Sequence, residues 1–353
     1  MNKNRNSRTL IGSTCSLFVL AALTFMIVLG MSISTEAQVI KLKYGTYGPR
    51  SVLDEPALWY IDEVSKRSGV KIEVETYFAG ILAKPADCLD ALGVGVYQYG
   101  WISSAFTPAK TPLGMILNGT PLVGPSLTCA CKAADELVRS FPPAAAEFEK
   151  ANVKFLFHTG VGPYDLISTK PVKSLEDLKG LRTRAFGYLS KVWSDLGGTP
   201  VMLSVAEAYD ALQKGTLDAV LMTPFNFHKG LRLYEVAKHM TKFDLAYLPT
   251  PVLMNMATFN KLPEKVQKEM LDLAKEMPAH VEQIISKLEL QAIEDMKKEG
   301  VSVYELSASD KAKVREGAKT IAKTVVDDLA SKGVGSAKET MDLYLAGIEK
   351  CPK

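Results

Sequence analysis

The chain has 353 residues, of which 47% are hydrophobic and 23% charged, with a formal charge of +3. That length suits two domains of about 100–200 residues each, and the composition excludes disorder, collagen-like repeats and a disulfide-dense miniature scaffold. Dispersed, nearly balanced charge leaves no electrostatic footprint for nucleic acid or an anionic membrane.

The first 37 residues read as a secretory signal peptide. Lys3, Arg5 and Arg8 form a basic start, Leu17–Met31 is the densest apolar run, and Ala37 closes a small-residue cleavage site. The run is short for a membrane span, and no later stretch is apolar for long enough to be one. The expected mature chain is exported to the periplasm, with a net charge of +1. Export permits disulfides among Cys88, Cys129, Cys131 and Cys351. Cys129 and Cys131 are too close to bridge each other easily, so Cys88 with one of them is the expected pair.

From Val39 the pattern alternates between strand and helix. Strands are predicted at Val39–Tyr47, Val70–Phe78 and Tyr97–Ser104, with helices after Pro56 and over Ala86–Leu92. A second α/β unit spans roughly 153–245. It has strands at Val153–His158, Leu181–Phe186, Pro200–Leu203 and Leu217–Met222. Helix starts are marked by Ser174-Leu175-Glu176-Asp177 and Ser204-Val205-Ala206-Glu207. This order implies parallel sheets with helices on their faces. The last third is helical, and the periodicity over Pro263–Lys298 predicts one long helix along both domains, kinked at Pro278.

Enzyme motifs are missing. The chain has no phosphate loop, no His-Glu-x-x-His and no nucleophile elbow. Its four histidines, His158, His228, His239 and His280, are not spaced as a helical metal pair, and no metal or cofactor is expected. What the strand ends offer instead is polar and aromatic: Tyr47 and Arg50, Trp101, Ser103 and Ser104, Tyr164, Arg184, then Thr223, Phe225, Asn226 and Phe227. In open α/β folds ligands bind beyond the carboxyl ends of strands. Arg184 is the most informative of these, because an arginine inside an apolar strand needs a partner for its charge. On pattern alone that partner is an internal carboxylate, and Trp101 and the phenylalanines are core.

The stretch Ser174–Pro224 resembles the solute-binding subunits of TRAP (tripartite ATP-independent periplasmic) transporters, of the dicarboxylate-binding type. The residues that carry the likeness are Asp177-Leu178-Lys179-Gly180, Arg184, Leu196-Gly197, Pro200-Val201, Glu207–Gly215 and Asp218, with Asn260–Pro263 further on. The resemblance implies a two-lobed α/β periplasmic binding fold with a ligand cleft between the lobes and a long helix spanning both. It places lobe 1 at 38–160 plus about 248–280, and lobe 2 at 161–247 plus about 281–350, with hinges near 160–165 and 245–250. It implies a non-enzyme that captures a small organic acid and hands it to TRAP permease subunits in the membrane, with Arg184 as the carboxylate grip. The expected substrate-binding set is Arg184, Trp101, Ser103, Tyr164, Thr223, Phe225, Asn226 and Tyr47. Ala185-Phe186 stands where relatives often carry Val-Pro, Thr223 stands where sugar-acid binders carry Asn, and Tyr164 lies near their second basic residue. A monocarboxylate with an apolar body, such as a 2-oxo or aromatic acid, is therefore expected rather than a sialic acid. The alternatives are a secreted α/β enzyme acting on an organic acid and a binding subunit serving a sensor kinase.

Overall fold

Two mixed sheets organise the chain. The computed structural model describes residues 39–120, 124–185, 187–203 and 207–351. The expected signal peptide, Phe186 and the Ser204-Val205-Ala206 helix start lie outside them. In chain order the first part contains β1 (Ile40–Gly45), α1 (Asp54–Ser68), β2 (Ile72–Tyr77), α2 (Cys88–Gly93), β3 (Tyr99–Trp101), α3 (Pro112–Gly119), α4 (Leu127–Ser140), α5 (Pro142–Lys150) and β4 (Val153–Val161). The second part contains β5 (Asp165–Ser168), β6 (Arg182–Arg184), α6 (Gly187–Asp195), β7 (Thr199–Val201), α7 (Ala208–Gln213), β8 (Ala219–Met222) and β9 (His239–Lys242). The chain then returns through β10 (Leu248–Asn255), α8 (Met256–Lys261), α9 (Glu264–Lys298), β11 (Ser302–Glu305), α10 (Ala308–Ser331) and α11 (Ala337–Glu349).

Strand order is β2-β1-β3-β10-β4 in the first sheet and β11-β9-β5-β8-β6-β7 in the second. The expected all-parallel sheets are not what forms. β10 runs antiparallel to both β3 and β4, and β5 runs antiparallel to both β8 and β9. The reason is topological. β1, β3 and β4 end at one edge of the first sheet, and β6, β7 and β8 at one edge of the second. A strand that crosses from one sheet to the other enters at that edge, so it must run against the strands that end there. β5 follows β4 after only residues 162–164, and β10 follows β9 after residues 243–247. The two connections are tied by Tyr164 N donating to Ala246 O (3.2 Å) and Leu245 N to Tyr164 O (3.1 Å).

β10 carries Pro249 and Pro251, although its eight residues are all buried. The Pro251 carbonyl accepts from Ile102 N and the Pro249 carbonyl from Asn118 Nδ2. Both prolines therefore turn their missing N–H toward the β3 side, where β3 pairs only with Val252–Met254. Pro251 faces Ile102, so that pair keeps one bond where a non-proline residue would make two.

The long helix α9 runs unbroken for 35 residues through a buried Pro278. Its first half packs Val266, Met270, Leu273, Met277, Val281 and Ile285 into the core of the first sheet, beside Tyr60, Tyr99 and Phe157. Its last turns pack Ile293 and Met296 into the core of the second, beside Leu212, Val220 and Phe227.

The C-terminal segment departs from expectation. Residues 337–349, assigned above to the second lobe, pack against α4 and α3 of the first. The reason lies at the end of α11. Cys129 on α4 forms a disulfide with Cys351, while Cys88 and Cys131 are buried free thiols. The expected Cys88 pairing is thus replaced. Cys131 sits two residues beyond Cys129, on another side of the helix, with its thiol on the Thr159 carbonyl. The bridge closes a loop of 222 residues. Replacing Cys351 with serine should cost about 2–4 kcal/mol of stability, read as a lower denaturant midpoint; an unchanged midpoint would show that α11 is held by packing alone.

Candidate functional site

The strand ends at the facing edges of the two sheets bring the expected residues into one connected set. On the first sheet, Tyr47 follows β1 and Trp101 ends β3. Their rings meet edge to face at 4.9 Å, and Phe106 packs on Tyr47 at 5.0 Å. Trp101 is held by a carboxylate that the sequence reading did not single out. Asp54, fully buried in the first turn of α1, accepts from Trp101 Nε1 (2.7 Å), Tyr44 Oη (2.7 Å) and Ser51 N (2.6 Å). Burial raises its carboxyl above the ordinary range, and these donors oppose the rise. Ser103 donates to Asn118 Oδ1, and its hydroxyl also lies against the Tyr47 phenol.

On the second sheet, Tyr164 precedes β5, Arg184 ends β6 and Thr223 follows β8. Register puts them side by side: Asp165 pairs with Met222, and Arg184 with Val220. Arg184 is 8% exposed and its Nε donates to Leu203 O at 3.4 Å. Burial pulls its guanidinium below the ordinary value, while the Tyr164 phenol beside it favours the charge. Burial pushes that phenol up to about 12, with Arg184 opposing. The Tyr164 phenol is near enough to Tyr47 for its charge to be felt there. Asn226 Nδ2 donates to Thr223 Oγ1 (3.0 Å) in the turn after β8, and Phe225 packs on the cluster that contains Trp101.

β6 itself is fixed from its other end. Arg182 grips Asp218 through Nε and Nη2, both at 2.9 Å, and Asp218 also accepts from Arg182 N. The Asp177 carboxylate accepts from Lys173 N and Ser174 N in the turn that feeds the strand. Arg50, an exposed residue, pairs instead with Glu55 at 2.8 Å.

Glu289 on α9 is the second residue missed. It is 5% exposed and sits among the site groups. Its Oε2 accepts from Phe225 N at 2.5 Å, the Thr223 hydroxyl lies beside the same carboxyl, and Tyr164 and Asp165 are near enough to feel its charge. Burial, aided by Asp165, pushes it up to about 8, against the pull of Phe225 N and Thr223. The signal was readable: 281, 285, 289, 293 and 296 form the buried stripe of α9, and Glu289 is its one charged member.

The cavities of about 430 and 510 Å³ described on the surface lie elsewhere, around His228, Arg232 and Lys298 and around Leu196 and Lys313. Among the described residues no group of His, Cys, Asp and Glu is arranged to hold a metal ion, and no helix is long and apolar enough to cross a membrane.

Residues 47–328 match the family described as bacterial extracellular solute-binding protein, family 7. A solute-binding protein of Sulfitobacter sp. (strain NAS-14.1) is 29% identical over 46% of this chain and 50% of its own length, so the chain spans half of that relative. The crystal structure of a TRAP periplasmic solute-binding protein from Desulfovibrio salexigens superposes with a TM-score of 0.77 at 26% identity, covering 88% of this chain and 96% of that one. A TRAP solute-binding protein from Rhodoferax ferrireducens, in complex with copurified benzoate, gives 0.75 at 23% identity over 88% and 98%.

Two expectations follow from the buried carboxyls. Asp54→Ala should leave Tyr44, Ser51 and Trp101 donors without an acceptor and lower stability by about 3 kcal/mol, measured by urea denaturation; a loss within error would deny Asp54 its holding role. Glu289 at about 8, Asp165 at about 7 and Glu147 at about 7 all sit above the carboxylate range in the folded chain. Their contribution is fully present below the unfolded values and is lost as pH rises through the folded ones. The melting temperature should therefore fall between about pH 5 and about pH 8, and Glu289→Gln should shallow that fall.

Proposed function

We propose, on the premise that this chain belongs to the bacterial extracellular solute-binding protein family 7, that it is the periplasmic receptor of a TRAP transporter for a small monocarboxylate with an apolar body. The observation that carries the reading is Arg184, a buried guanidinium at the sheet edge where β6 and β8 end. A planar guanidinium grips a carboxylate through two parallel hydrogen bonds. Tyr47, Trp101, Tyr164 and Phe225 wall the same place with rings, and Ser103, Thr223 and Asn226 supply its neutral polar groups. No nucleophile–base pair is part of this set, so the reading is capture and release without catalysis.

The residues come from both sheets, and this gives the mechanism. An acid that meets Arg184 gains the contacts of the first sheet only when the two edges approach. The ligand therefore favours the closed arrangement by its differential affinity for it. Lobe 1 takes 38–160 with about 248–280, and lobe 2 takes 161–247 with most of about 281–350. The hinge strands are 162–164 and 243–247. The closed surface is what the permease subunits in the membrane would read. Residues 1–37 act as the export signal.

The test is the melting temperature of residues 38–353 against benzoate, 3-hydroxyphenylacetate, pyruvate, galacturonate and succinate. At about 100 times its dissociation constant a ligand adds about 2.7 kcal/mol, a rise of several degrees. Arg184→Ala should weaken the acid that binds by about 10- to 100-fold while the variant keeps its fold. Binding that survives the substitution would remove Arg184 from the site, and no shift with any acid would sink the organic-acid reading.

A further inference from the structure

We infer that Glu289, on the helix shared by both cores, contributes its Oε1 to the same ligand site and sets its preference for monoanions over dianions. This rests on the site reading above and deepens it. The geometry comes first. Glu289 Oε2 is held by Phe225 N at 2.5 Å, which anchors the carboxyl to the turn after β8. Its Oε1 is buried and finds no hydrogen-bond geometry among the described residues, although the Thr223 hydroxyl lies alongside. A buried oxygen left in that state costs free energy unless something else reaches it. Tyr164, Thr223 and Phe225, three of its neighbours, are strand-end residues of the cleft, and Tyr164 links it to Arg184.

The charges around it fit one role. From the second sheet Glu289 faces the Tyr164 phenol and the Asp165 carboxyl, with Arg184 behind Tyr164. From the turn after β8 it faces the neutral Thr223 and the Phe225 amide, while His228 lies against Asp295 and Glu299 rather than Glu289. From the first sheet the Tyr47 phenol approaches Tyr164. Arg184 is the cation on the Tyr164 side and balances one carboxylate, while at Asp165 the Lys242 ammonium is offset by the Asp244 carboxylate. A second carboxylate beside Glu289 and Asp165 would be buried without a counter-charge, at heavy cost. A neutral carboxyl O–H, by contrast, can donate to a ligand carbonyl, hydroxyl or the free lone pair of a gripped carboxylate. The position of Glu289 above the usual carboxylate range supports that state at neutral pH.

The experiment is calorimetric binding of benzoate, 3-hydroxyphenylacetate and succinate to residues 38–353, at about pH 7 and about pH 9, for the wild type, Glu289→Gln and Glu289→Leu. A group that titrates near 8 is mostly protonated at the lower pH and mostly ionised at the higher. The wild type should bind a monoanion at least about tenfold more tightly than succinate and lose about tenfold in affinity across the interval. Glu289→Gln keeps a donor at that place but cannot ionise, so its affinity should be the same at the two pH values. Glu289→Leu should bind about 3- to 10-fold more weakly than the wild type near pH 7 and should itself show no pH dependence. Should Glu289→Gln fail to fold, the wild-type profile decides, and a flat profile overturns the inference. The same pH dependence in wild type and Glu289→Gln, or succinate bound as tightly as the monoanions, also overturns it. If neither wild type nor variant binds any of the three acids, the inference falls together with the site reading, a result distinct from binding that ignores Glu289.

Discussion

One helix is buried at both ends in different cores, and the turn after β8 is tied to it through Glu289. α9 gives Val266 to Ile285 to the first core and Ile293 and Met296 to the second. Burying an apolar side chain is worth about 1.5–3 kcal/mol, so neither end can be withdrawn from its core cheaply. Two strand connections, at 162–164 and 243–247, hydrogen-bond to each other, and a third apolar cluster joins Ile116, Leu117 and Ala134 of the first part to Leu166, Leu221 and Phe243 of the second. Glu289 lies between the two apolar stretches, tied to the turn after β8 through Phe225 N.

The residues that make the family likeness divide into two kinds once their contacts are known. Asp177, Gly180, Arg182 and Asp218 do scaffold work. Asp177 closes a turn on backbone amides, Gly180 takes a left-handed φ of 72°, and the Arg182–Asp218 pair fixes the start of β6 to the start of β8. Arg184 is what that scaffold positions. The arrangement resembles a bracket, with the exposed arginine holding the strand from outside so that its neighbour two residues on can hold its charge inside. Asp54 plays the corresponding part on the first sheet, where one buried carboxylate sets the plane of the Trp101 indole. Arg184 and Trp101 are therefore each held in place by polar groups behind them.

Much of this was legible before any coordinates. The alternation of β-branched runs and capped helices placed β1, β2, β4 and β8 within a few residues, and the periodicity over Pro263–Lys298 marked α9. Strand direction was not legible, because β10 hides behind Pro249 and Pro251, and prolines argue against an inner strand. The short reach of β3 limits their cost to the second bond of the Pro251–Ile102 pair, and that is a fact of register. Pro278 did not hide the helix: the periodicity on both sides of it predicted one long helix, and α9 runs from Glu264 to Lys298. The disulfide was hidden for another reason: Cys129 and Cys131 differ by two residues, and only the docking of α11 on α4 decides which of them meets Cys351. Arg184 was found because a charge in a strand stands out. Glu289 was overlooked because a glutamate in a helix full of glutamates and lysines does not, unless each position is assigned to a face.

Under the export that the proposed function requires, the bridge between Cys129 and Cys351 has a consequence for the order of events. The two cysteines are 222 residues apart, so a chain threading out of the membrane amino end first presents Cys129 long before its partner. In the interval Cys129 stands two positions from Cys131, with Cys88 already outside as well. A passing oxidant can join any of these early arrivals before the final helix emerges. The correct linkage is thus the last stitch in the garment, and the burial of Cys88 and Cys131 inside the first core takes them out of reach until it is sewn.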